Sequence, residues 1–317
     1  MPKIKIGINL WSQASSWADF LAAARRVEDL GYESLWTWDH LHAIVGDPQQ
    51  PIFEGYTSLG AWAMATERIR LGLMVGANTF RNPGLVVKSI TTLDHISNGR
   101  AILGIGGAWF EYEHIAHGID FGSGFGQRLT WLDEAVAAMR TLLDGGTVTS
   151  DGNGRYAFKE LHHVPDPVQR HVPIMIGGTG RTKTLRTIAR YADQWNAAGT
   201  PELLAELGPI LDGYLREEGR PLDSIERTSN LWMVIRDSEA EARRVWDETM
   251  ERNVNEVDLG MIVEHRPILG PVEKVAARIR EYVDAGFPTQ ILEVPAPYDV
   301  ETLERLIGEV QPLVERG

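Results

Sequence analysis

The stretch SLWTWDHLH, residues 34–42, ends an apolar run in an acid and two imidazoles. Histidine changes charge near neutral pH and is the natural proton carrier among side chains. Asp39 and His40 sit on alternate sides of an extended backbone, so they face different partners. Either these residues are polar punctuation at a strand end, or a site is being assembled there, with His40 as a proton-transfer residue. Further on, AWFEYEH (108–114) brings Glu111, Glu113 and His114 close in sequence. On a helix, Glu111 and His114 share a face, which makes Glu111 a candidate general acid. Glu113 reads at least as well as a solvated acid at a helix start, where the dipole favours negative charge. Asp39, His40, His42, Glu111 and His114 are also metal-ligand types. No H-x-H closes the first apolar run, and no His or Asp pair closes the fifth or sixth, so no metal is assigned.

Two glycine-rich turns add binding chemistry. In GGTGRTKT (177–184), free backbone N–H groups at a helix start would hold an anion, most naturally a phosphate. Gly177, Gly178, Thr179 and Gly180 form that loop, with Arg181 and Lys183 adding charge. Tight turning with a threonine cap accounts for the same residues without a ligand. In GIGGAW (104–109), Gly107 and its neighbours Ala108 and Trp109 allow a flat ligand to approach the backbone. Close strand–helix packing is the alternative.

Bringing these residues together requires a fold that gathers strand ends. Apolar runs at 4–10, 34–39, 69–78, 100–107, 173–178, 194–199, 230–235 and 290–295 alternate with stretches of helical period. Pro83 opens one helix and Gly99 closes it, the expected asymmetry. Strands separated by crossover helices pair in parallel with right-handed connections. Eight such units predict a (β/α)8 TIM barrel. A doubly wound sheet is the other option, but no G-x-G-x-x-G follows the first strand. Residues 147–158 read as a β-hairpin insertion after helix four. Residues 252–270, after strand seven, read as a lid or binding loop. One domain, 1–317, is expected. Barrel chemistry sits at the C-terminal strand ends, and these carry Asp39, His40, Asn78, Gly107, the 177–180 loop and Asn196. Trp11, Trp36, Trp38, Trp62 and Trp109 would line an aromatic pocket for a flat cofactor. Trp131, Trp195 and Trp246 read as core or interface, and His162 and His163 as loop residues.

Bulk properties narrow the partners. The formal net charge of −13 disfavours nucleic acid and anionic membranes and leaves a small-molecule substrate. The absence of cysteine excludes disulfides and thiolate chemistry. No leader pattern opens the chain, and no run approaches the ~18 to 20 apolar residues of a membrane span, so a soluble cytoplasmic protein is expected.

The strand ends taken together resemble the luciferase-like flavin and deazaflavin oxidoreductases. The matching stretches are SLWTWDHL, EGYTSLGAWAMATERIRLG, TFRNPGLVVKSITTLDHISNGRAILGIGGAWFEYEHIAHGI and VPIMIGGTGRTKTLRTIARYADQWNAAG, within residues 34–199. GPVEKVAARIREYVDAGF extends the match over 270–287. Within the family, the sequence looks most like the coenzyme F420-dependent branch. The resemblance implies an insertion after strand seven, a deazaflavin ring across the barrel mouth, and its phosphate on the 177–180 loop. It implies a non-prolyl cis peptide at Met74–Val75 beneath the ring. Asp39 matches a position that contacts the cofactor ring edge or the substrate, His40 one that acts as a base, and Glu111 lies near the family's acid. Backbone at Gly107 and Ala108 would seat the ring, and Arg81, Arg181 and Lys183 are candidates for the cofactor's negative tail. Hydride transfer between F420 and a small organic substrate is the leading reading. The alternatives are an FMN-dependent monooxygenase fed by a separate reductase and a non-catalytic flavin-binding protein. The family also implies a homodimer.

Overall fold

The computed structural model describes residues 3–253 and 267–316. Its strands are β1 (Lys5–Leu10), β2 (Ser34–Thr37), β3 (Arg70–Leu73), β4 (Gly76–Ala77), β5 (Ala101–Gly106), β6 (Thr147–Val148), β7 (Leu161–His162), β8 (Ile174–Gly177), β9 (Gln194–Ala197), β10 (Glu226–Leu231), β11 (Met233–Ile235), β12 (Ile268–Gly270) and β13 (Thr289–Val294). The described helices are α1 (Trp17–Asp29), α2 (Gly55–Ala65), α3 (Pro83–Ile96), α4 (Glu111–His117), α5 (Phe125–Leu143), α6 (Lys183–Tyr191), α7 (Pro201–Glu217), α8 (Glu239–Asn253), α9 (Val272–Asp284), α10 (Val300–Arg305) and α11 (Gln311–Arg316). Among the described residues, no helix is long and apolar enough to cross a membrane.

The barrel strands follow the parallel order β3-β2-β1-β13-β10-β9-β8-β5, and β3 pairs with β5 to close the ring. This is the (β/α)8 barrel. The third stave is in two pieces, β3 and β4, separated by Met74–Val75, whose peptide bond is cis. Strand alternation sends every second side chain inward. Trp36, Met74, Ile102, Met175 and Ile291 meet there as an apolar disc across the lumen. Below the disc lies a polar layer with Lys5, Arg70, Gln194, Glu226 and Thr289. Above it the strand ends open into the mouth. Outside the strands, Ile4, Ile6, Ile8, Leu35, Leu71 and Leu103 pack against the helices in the main core.

Three expectations need correction. The seventh barrel strand is Glu226–Leu231, not 230–235. Its inward residues include Thr228 and Asn230, so an apolar run did not mark it. The apolar segment Met233–Ile235 instead leaves the barrel and pairs in parallel with β12. It packs on a cluster containing Trp11, Trp38 and Trp246. The hairpin is wider than 147–158: β6 pairs antiparallel with β7, which carries His162. His163, just past β7, is a loop residue as expected, though a buried one, 4% exposed and hydrogen-bonded to Thr91 at 2.8 Å. Trp36 belongs to the lumen disc, and Trp62 packs on Phe20 in the outer core, so neither is at the mouth. Of the expected lid, residues 254–266 lie outside the described residues; Asn253 ends α8 and Ile268 begins β12.

Candidate active site

The mouth holds a cavity of about 340 Å³ lined by the ends of the staves. It brings together Asp39, His40, Met74, Val75, Gly107, Ala108, Trp109, Gly177, Gly178, Thr179 and Asn196. These residues come from five separate stretches of sequence, joined only by the closure of the sheet. Three expected site residues are not among its lining. Glu111 points outward and is exposed. Asn78 is buried behind the wall, its Nδ2 donating to the Tyr156 hydroxyl at 3.2 Å. Gly180 packs beside Thr184.

Glu113 stands where Glu111 was expected. Helix α4 starts at Glu111 after a turn at Ala108, φ 57°, and its phase buries Glu113 and His114 together. His40 Nδ1 and Glu113 Oε1 are 2.9 Å apart, and Glu113 Oε2 accepts the Leu41 N–H at 2.8 Å. A carboxylate facing Nδ1 puts the ring proton there and leaves the Nε2 lone pair as the free base. Trp109 meets the ring edge-on at 5.6 Å between centroids. His114 differs: it hydrogen-bonds the Phe110 carbonyl at 2.7 Å and Thr79 Oγ1 at 2.6 Å, and burial lowers its pKa. It pins α4 to the end of the third stave.

Asp39 is 2% exposed and fully engaged. Arg81 donates to its two oxygens at 2.7 and 2.9 Å, and Ala77 N–H donates to Oδ2 at 2.9 Å. Arg81 also donates to Glu54 at 2.6 Å and lies over the Tyr56 ring. Burial alone would lower the Arg81 pKa, but the Asp39 carboxylate beside it outweighs this and holds the guanidinium above its ordinary range. Of the other basic candidates, Arg181 pairs with Glu206 at 2.8 Å. Lys183 donates to two neutral groups, the Gly126 carbonyl and Thr130 Oγ1.

The floor carries a residue that the sequence reading missed, Glu293 at the end of β13. Its Oε2 accepts from Asn9 Nδ2 at 2.6 Å and Trp11 Nε1 at 3.0 Å, and its Oε1 from Asn230 Nδ2 at 3.3 Å. All three donors are neutral. Burial therefore dominates and pushes its pKa up from 4.5 to about 7. A lone acid inside the apolar run QILEVP, on the inward alternation with Ile291, was the available signal.

This shift fixes a sign for stability. Between pH 4.5 and about 7 the folded chain keeps a proton on Glu293 that the unfolded chain has lost. Stability from this group is thus complete below pH 4.5 and is lost as pH rises through 7, a total of roughly 3 kcal/mol. The difference in urea-unfolding free energy between wild type and Glu293→Gln should slide by about that amount across the window. A difference independent of pH would contradict it.

The profile of the family described as "Luciferase-like monooxygenase" matches residues 4–289. The chain belongs to this family. Among curated luciferase-like relatives, a Mycobacterium tuberculosis protein described as uncharacterized is 35% identical over 189 residues, 55% of this chain and 65% of that one. The chain thus spans less than two thirds of that relative. An F420-dependent glucose-6-phosphate dehydrogenase from Microbacterium testaceum is 28% identical over 304 residues, covering 89% of this chain and 88% of its own. Among solved structures, an F420-dependent secondary alcohol dehydrogenase superposes with a TM-score of 0.83 at 22% identity, covering 99% of both chains. At that identity the likeness is one of fold.

Proposed function

We propose that the chain is an oxidoreductase that moves a hydride between coenzyme F420 and a small organic substrate, with His40 carrying the accompanying proton. The observation that carries this is the His40–Glu113 pair beside a slot walled by glycine. A Cβ added at Gly106 or Gly177 would come within 2.8 or 2.9 Å of the Val75 side chain, so only glycine at both positions lets Val75 keep its place in the cavity wall. Among the described residues, the N–H groups of Thr179, Gly180 and Arg181 donate to no protein acceptor. They precede the N-terminus of α6 and suit a phosphate. The loop is held from behind, with Gly178 N–H donating to the Asn196 carbonyl at 2.9 Å and Trp195 Nε1 donating to the Gly178 carbonyl at 2.8 Å. Similarity to F420-dependent dehydrogenases along most of the chain supports the same choice.

Bound in this slot, the deazaflavin would supply the carbon that takes or gives the hydride. With an alcohol substrate, that chemistry would leave a hydroxyl proton for the protein to take. The O–H proton passes to His40 Nε2, and a carbonyl forms. Glu113 holds the imidazole in the tautomer that can accept and balances the imidazolium once formed. Titration of the purified protein with F420 and, separately, FMN tests this reading. Quenching of deazaflavin fluorescence is expected, and tight FMN binding with none for F420 would instead favour the monooxygenase alternative. Gly177→Ala should weaken deazaflavin binding about tenfold, roughly 1.4 kcal/mol, because its methyl group would displace Val75 from the cavity wall. An unchanged dissociation constant would remove Gly177 from the cofactor wall.

A further inference from the structure

Resting on the hydride-transfer reading of this cavity, we propose that Glu293 determines specificity by hydrogen-bonding a second hydroxyl of an uncharged substrate, a polyol or unphosphorylated sugar. Charge is the first argument. The ionisable residues lining the cavity are Asp39, His40, Glu113 and Glu293, and among the described residues no lysine or arginine lines it. Arg81, which pairs with the lining residue Asp39, spends its fork on Asp39 and Glu54. Among the described residues, a phosphate would meet the carboxyl groups of Asp39 and Glu113 and no lysine or arginine. Relatives named glucose-6-phosphate dehydrogenases therefore do not set this chain's substrate class.

Hydrogen-bond capacity is the second argument. Each carboxyl oxygen has room for two donors. Glu293 Oε2 has both, from Asn9 and Trp11, whereas Oε1 has only the long 3.3 Å contact from Asn230. Glu293 and Asn230 both line the cavity, so the spare capacity lies at the substrate's space. Trp38 and Ile44 supply apolar wall on either chemistry. Size agrees: about 340 Å³ is near the lower end for ligand sites and must take the cofactor ring as well, so the substrate is compact.

The test uses the purified protein with F420 and four probes: glycerol, glucose, isopropanol and the phosphate ester of whichever polyol is turned over. At least one polyol should show kcat/KM about tenfold or more above both isopropanol and its own phosphate ester. Glu293→Leu should reduce the polyol-to-isopropanol ratio about tenfold or more, mainly through KM, with the F420 dissociation constant within about twofold of wild type. A preference for the phosphate ester, an unmoved ratio, or no turnover of either polyol by F420-loaded protein would overturn the proposal. Failure of wild type to bind F420 is a separate result, which removes the underlying reading. If Glu293→Leu does not fold, the wild-type preference between polyol and phosphate ester decides alone.

Discussion

Replacing His40 with alanine is expected to lower turnover at least about 100-fold while F420 affinity stays within about twofold. A positioned acid–base side chain contributes roughly 10²- to 10⁴-fold. Two neighbouring groups that could move a proton are already committed. Asp39 is saturated by Arg81 and Ala77. His114 has both ring nitrogens bonded within the protein. The slot proposed for the cofactor includes Gly106, Gly177 and Val75, none of which the substitution changes. Steady-state kinetics and a fluorescence titration on the same preparation separate the two quantities. Turnover within a few-fold of wild type would show that the proton leaves by another route, and loss of binding would make His40 part of the cofactor seat.

Arg81→Met should cost about 3–5 kcal/mol of stability, the range for breaking a buried pair by removing one member. The Asp39 side chain is 1% exposed and would keep a single N–H donor, from Ala77. Glu54, which caps α2 through the Thr57 N–H, would lose its cation too. The double variant Asp39→Asn, Arg81→Met should regain much of the loss, because no buried charge is then left alone. Urea-unfolding curves of wild type and the two variants supply the numbers. A loss below about 1 kcal/mol would mean that the pair behaves like an exposed one.

The alternation of apolar runs with helical periods was enough to predict the barrel, because each parallel stave is buried on both faces and reads as a continuous apolar run. It failed at β10, whose inward side chains are polar because Asn230 borders the mouth and Thr228 the polar layer below the disc, and it followed the apolar Met233–Ile235 instead. The glycine turns were legible since few other residues allow such close approach, as at Gly106 and Gly177. The acid of the His40 pair was not: Glu111 and Glu113 differ by two residues, and only the turn at Ala108 decides which one faces inward. Glu293 was hidden because its partners, Asn9, Trp11 and Asn230, come from distant strands.

The disc of Trp36, Met74, Ile102, Met175 and Ile291 has an electrical meaning. It is a low-dielectric septum between two polar compartments, one containing His40 and Glu293, the other Lys5 and Glu226. An ion crossing it would pay the full cost of leaving water, and the disc offers no hydroxyl or carboxyl along which a proton could hop. Any proton that His40 takes up would therefore leave on one side only. Whatever charge the reaction releases must return to solvent through the same opening by which substrate arrives.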